Sequence, residues 1–143
     1  MTKKHDKIYK TKVLILQGLY SWYLNRSCLI KIDHFLFERT NLNNVCYHTF
    51  MYFIKNIIKK DLILTVILNK HSCKIINSNL VELIILKMVI FEIFFCNKRQ
   101  LNIIVSEALY LANKFSSKRS YKLIKNAGNN IILDYVFFKL LFK

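Results

Sequence analysis

The stretch from Asn79 to Phe95, NLVELIILKMVIFEIFF, constrains the fold more than any other part of the chain. At about 100° per residue its three charges, Glu82, Lys87 and Glu92, point in widely separated directions, so no single wet face exists. A helix that is apolar around nearly its whole circumference has to be surrounded by other helices. Asn79, followed three positions later by Glu82, has the form of a capping box, which fixes the start and puts a carboxylate where the helix dipole favours it. The charges cut the run well short of the roughly 20 apolar residues that a membrane span needs. A buried central helix is therefore expected, with Lys87 and Glu92 finding partners on its neighbours, because an unpaired buried charge is strongly destabilising.

A chain of 143 residues suits one domain, 1–143, around one core. It has no proline and only two glycines, Gly18 and Gly128, so it lacks the punctuation that sandwiches, barrels and alternating strand-helix folds require. The expected class is all-α, a bundle of about six to seven helices around the central one. Abundant Ile, Phe and Tyr favour strands, but the same bias runs through the loops. Cys28, Cys46, Cys73 and Cys96 form no C-x-x-C pair and no apolar N-terminal stretch resembles a secretion signal, which points to a reduced, cytoplasmic chain.

Periodicity predicts a first helix to about Leu24, a shorter one over 29–38, a helix over 45–59 that 61–69 continues as another helix or as its second half, the central helix, and another over 101–115. A last helix is expected from about Ser120 to Phe142, loosened at Asn126-Ala127-Gly128-Asn129-Asn130, where Gly128 suggests a bend or a close backbone contact. In the first helix Leu16, Leu19, Tyr20 and Tyr23 are assigned to the buried side.

The net charge of +15 points to a polyanionic partner, since clustered cations release counterions from phosphate. Nineteen of the 23 cations are Lys, however, and Asn and Ile are abundant, the bias that AT-rich codons would give. Only the position of the charges separates the two origins. The densest basic run is Lys3, Lys4, Lys7, Lys10 and Lys12 against one Asp6. On a helix that reaches back into this run, Lys3, Lys7, Lys10 and Gln17 share one flank with Tyr20 at its edge. Such a strip suits single-stranded nucleic acid, with phosphates on the ammonium groups and a base stacked on the ring. The competing reading is a solvated N-terminus with Tyr20 in the core.

Cys46-x-His48 and His71-x-Cys73 have the right residue types for zinc but no known finger or ribbon spacing. Paired carboxylates, phosphate-cradling glycine loops and a flanked nucleophile are absent from the sequence, so no enzyme, metal or cofactor is expected.

Three segments resemble the NusB family of bacterial transcription antitermination factors. Leu16-Gln17-Gly18-Leu19-Tyr20-Ser21-Trp22 is similar to the family's Q-A-L-Y-x-W signature behind a basic N-terminus, with Gly18 where Ala is usual. Val81, Glu82, Leu86, Lys87, Phe91 and Glu92 follow its V-E-x-x-x-L-R-x-A-x-Y-E-L helix, with Lys for Arg and Phe for Tyr. The segment from Val105 to Phe115 is similar to I-N-E-A-x-E-L-A-K-x-F. The last family motif, F-V-N-G-x-L-D, falls here on Leu123-Ile124-Lys125-Asn126-Ala127-Gly128-Asn129, and an acidic loop before it is Lys118-Arg119, so that face is rewritten.

The resemblance implies an all-helical protein that binds the boxA element of nascent ribosomal RNA together with NusE, a small-subunit ribosomal protein, and helps RNA polymerase read through terminators. It implies RNA contacts at Lys3, Lys4, Lys7, Lys10, Lys12 and Tyr20, to which the helical flank adds Gln17, and partner contacts at Tyr20 and Glu82, which otherwise reads as a plain cap. It is compatible with a monomer or a homodimer. One alternative is the NusB-like head of a ribosomal RNA cytosine methyltransferase, which needs a cofactor domain beyond Lys143. Another is a NusE-binding scaffold without RNA affinity.

Overall fold

In the computed structural model, which describes residues 3–26, 45–71, 79–96 and 98–141 with the side chains of 3–6 and 71 excepted, every regular element among the described residues is helical. Six helices follow in order: α1 (Lys3–Asn25), α2 (Tyr47–Lys59), α3 (Asp61–His71), α4 (Leu80–Phe91), α5 (Leu101–Phe115) and α6 (Lys118–Leu141). The helix expected over 29–38 lies outside the described residues, as do Cys28 and Cys73. No helix among those described is long and apolar enough to cross a membrane.

The chain divides into two compact units, Met1–Lys59 and Lys60–Lys143. In the first, α1 and α2 pack together. Phe50, Phe53, Ile54 and Ile57 repeat at the spacing of one helical face and are all buried. Ile15, Leu16 and Leu19 are their buried counterparts on α1. The backbone N–H of Cys46 donates to Thr11 Oγ1 at 2.9 Å, and the Thr11 hydroxyl donates to the Lys7 carbonyl at 2.7 Å, which ties the start of α2 to α1.

The second unit is built around α4, against which α3, α5 and α6 all pack. Every residue from Ile84 to Ile93 is buried. The capping box forms as its spacing predicts: Asn79 Oδ1 accepts from the Glu82 N–H at 2.9 Å, and Glu82 Oε2 accepts from the Asn79 N–H at 3.2 Å. Beyond Phe91 the helix widens into one π-helical turn, Glu92–Cys96, where Phe94 meets Tyr135 of α6 edge-on at 5.3 Å between ring centroids.

Both interior charges of α4 find partners. Lys87 Nζ donates to Asp61 Oδ1 on α3 at 2.8 Å. Glu92 accepts from Arg99 Nη1 at 3.1 Å, and the same guanidinium grips Glu107 of α5 with two bonds of 2.7 and 2.6 Å. That bidentate grip, reinforced by Glu92, holds the Arg99 guanidinium even further above its ordinary range. Arg99, which follows the π-helical turn, thus supplies the cation for two buried carboxylates.

The last helix differs from expectation. It starts at Lys118 and runs without a break through 126–130. Ile124, Ala127, Gly128, Ile131 and Tyr135 form its buried stripe, and Asn126, Asn129 and Asn130 are its wet side. The apparent loosening is an amphipathic alternation in which the buried positions happen to be small. They are small because α5 comes close: a Cβ on Gly128 would lie 3.4 Å from both γ-carbons of Val105. That is ordinary contact, and Ala outranks Gly in a helix interior by about 0.8–1.0 kcal/mol. Gly128→Ala is therefore expected to raise stability by up to about 1 kcal/mol in urea unfolding, whereas Gly128→Leu, which must displace α5, lowers it.

Candidate nucleic-acid interface

Helix α1 reaches back to Lys3, as the strip reading requires. Lys7 and Lys10 are exposed, Gln17 is half-buried and Tyr20 is 39% exposed. Tyr20 therefore sits outside the buried side assigned to it from periodicity, and Tyr23 is half-buried. Leu16 and Leu19 fill the core positions, and their neighbour's ring is left at the edge of the basic flank. From Lys7 to Tyr20 this flank runs about 20 Å at 1.5 Å per residue. The side chains of Lys3 and Lys4 lie outside those described.

Lys12 departs from the strip. It is only 5% exposed, with its ammonium over the Phe53 ring at 5.0 Å from the centroid. The physical reason is angular: nine positions after Lys3 the helix has made about two and a half turns, so Lys12 points away from the flank and into the contact with α2.

Arg26 belongs to this end of α1 and was not signalled as functional. It directly follows the helix with φ 49°, its N–H donates to the Trp22 carbonyl at 2.6 Å, and its guanidinium covers the Trp22 ring at 4.3 Å and the Tyr23 ring at 5.5 Å. A left-handed residue after a helix is commonly Gly; here the arginine holds the position against two rings. Trp22 four residues before Arg26 is the signal that could have been read. Near the other end, the Thr49 hydroxyl, 3.0 Å from the Cys46 thiol, draws that thiol below the ordinary cysteine range, with Lys7 acting in the same direction.

Glu82 is not an exposed contact. It is 7% exposed, capped on Asn79, and its Oε1 accepts from the Ser120 hydroxyl in the first turn of α6. The carboxylate that sequence reading placed on a partner surface joins the starts of two helices. Among the described residues no cluster of His, Cys, Asp and Glu is arranged to hold a metal ion.

These features define a class: an all-helical protein with a basic, aromatic-edged helical face. The model of the NusB family matches residues 9–127, a span that enters both compact units, and the chain belongs to the NusB family of transcription antitermination factors. The transcription antitermination protein NusB of Blochmanniella floridana is 26% identical over 129 residues, covering 88% of this chain and 92% of that one. That of Legionella pneumophila strain Corby is 25% identical over 123 residues, covering 85% and 84%. A solved structure of T. maritima NusB superposes with a TM-score of 0.75 at 15% identity, over 86% of this chain and 88% of the other, and so shares the fold.

Proposed function

We propose that this chain is a non-catalytic antitermination factor of the cytoplasm that binds boxA RNA together with NusE and promotes read-through by RNA polymerase, chiefly in ribosomal RNA operons. The observation that supports this most is the exposed flank of α1, where Lys7 and Lys10 lie ahead of an accessible Tyr20. Phosphates are taken by the ammonium groups and a base stacks on the ring, with Gln17 between them as a hydrogen-bonding group. Lys3 and Lys4, in the first turn of α1, add positive charge at its N-terminal end. Lys12, buried against Phe53, contributes to the fold and is omitted from the RNA contacts. Partner contact is assigned to Tyr20, and Glu82, buried in its cap, is omitted from it.

The test is a titration of labelled boxA RNA, with and without NusE, across a range of salt. Each phosphate contact to a single strand contributes about −0.7 to the log–log slope, so Lys7→Ala combined with Lys10→Ala is expected to flatten it by about 1.4. An unchanged slope in a folded variant removes the strip from the interface. Co-purification with NusE but no boxA affinity at any salt would leave a protein-binding scaffold in place of the RNA-binding factor.

A further inference from the structure

The second unit carries a cationic row that the α1 strip does not include. Five acidic residues lie in Lys60–Lys143, and four of them are engaged internally: Asp61 by Lys87, Glu92 and Glu107 by Arg99, and Glu82 by Asn79 and Ser120. Lys87 and Arg99 pair with three of those carboxylates, neutral groups hold the fourth, and the fifth acid, Asp134, lies nine residues beyond Lys125 on α6. Among the described residues, most of the unit's remaining cations are exposed.

That charge is ordered on α6. Lys118, Lys122 and Lys125 follow one another at four and three residues, which puts them on one face with about 6 and 4.5 Å between them along the axis. All three are exposed, and none has an ion pair among the described residues. The first turn of α6 holds no acid, so Lys118 also stands at the positive end of the helix dipole. Like charges at these spacings and at the helix start weaken the helix slightly, and an anion lying along them removes that cost. Asn129, next on the same face, is exposed, and Tyr121 is half-buried beside the row.

We infer that Lys118, Lys122 and Lys125 form a second phosphate-tracking row, which takes the backbone of single-stranded RNA. This rests on the RNA reading of the chain and adds to it a contact in the second unit. The spacing suits successive phosphates of an extended strand, and compact ammonium groups on flexible stems bind backbone without reading sequence.

The experiment is fluorescence anisotropy of the full chain with boxA RNA extended by uridines at both ends, measured against potassium chloride concentration. The triple variant Lys118→Ala, Lys122→Ala, Lys125→Ala is expected to flatten the slope by about 2, from about 0.7 per contact. The corresponding triple Lys→Arg variant, which keeps the charge, should retain it. Exposed Lys→Ala changes in a helix preserve the fold, and the triple Lys→Gln variant is the second probe should the alanine variant lose helicity. A wild-type slope in a folded triple variant, while Lys7→Ala with Lys10→Ala still flattens it, overturns the row and leaves the α1 strip standing. Wild-type protein that binds no RNA overturns both. Loss of poly-glutamate binding in the triple variant with RNA binding unchanged overturns the RNA assignment in favour of an acidic protein ligand.

Discussion

Arg99→Ala is expected to destabilise the protein by about 3 kcal/mol, the lower end of the range for breaking a buried ion pair. The reason lies in what is left behind. Glu92 and Glu107 side chains are 3% and 2% exposed, and Arg99 is the cation bonded to both. Its removal takes the bonded cation from two deeply buried carboxylates between the π-helical turn after α4 and the middle of α5. Arg99 itself is 29% exposed, so water enters part of the vacated space and holds the cost below the upper end. On a chain of this size such a loss lowers the melting temperature by on the order of 10 °C. A double-mutant cycle with Glu107→Ala isolates the coupling: the second change should cost much less in the Arg99→Ala background than in the wild type. Replacing all three charges by apolar residues of similar volume should recover most of the stability, because the cost comes from the orphaned charge. A folded Arg99→Ala variant within about 0.5 kcal/mol of wild type would show the network to be dispensable.

Tyr20→Ala is expected to weaken boxA binding by roughly 1–3 kcal/mol, or about 5- to 150-fold in Kd, the range for losing one base–aromatic stack. The ring is 39% exposed on the flank that carries Lys7 and Lys10, so the change acts on binding more than on folding. Leu19→Ala supplies the contrast: that side chain is fully buried, and its truncation costs about 2–5 kcal/mol of stability. Tyr20→Phe keeps the π-face and should retain most of the affinity. An equal loss of stability at Tyr20 and Leu19 would return Tyr20 to the core and leave the strip without its aromatic edge.

The charge excess has two candidate origins in the sequence, an RNA surface or AT-rich codon usage, and composition cannot separate them. Placement bears on the choice. In the second unit most carboxylates turn inward while Lys118, Lys122 and Lys125 remain on one exposed face, so the net charge becomes a local surface property. Whichever origin set the number of lysines, the packing explains why few of those described in the second unit are neutralised.

What the sequence determined by itself is whatever depends on neighbours a few residues apart. The missing prolines and glycines gave an all-helical chain. The 3.6-residue period placed Phe50, Phe53, Ile54 and Ile57 inside, and Asn79 with Glu82 announced the cap. The three NusB-like segments indicated the family. The angular position of Lys12, opposite Lys3, was also legible, and its burial follows from it.

What tertiary structure alone decided is whatever depends on residues far apart in the chain. Glu82 looks like an exposed first-turn carboxylate until Ser120, 38 residues later, closes over it. Arg99 carries no signal of its role in the sequence, and only the packing brings Glu92 and Glu107 together on it. The Asn-Ala-Gly-Asn-Asn stretch looks like a break until α5 is seen to require small residues there. Tyr20 looks like core until Leu16 and Leu19 are seen to fill the space instead. In each case local pattern fixes which face a residue occupies, but whether that face meets water, a helix or a counter-charge is set by packing partners that no local window contains.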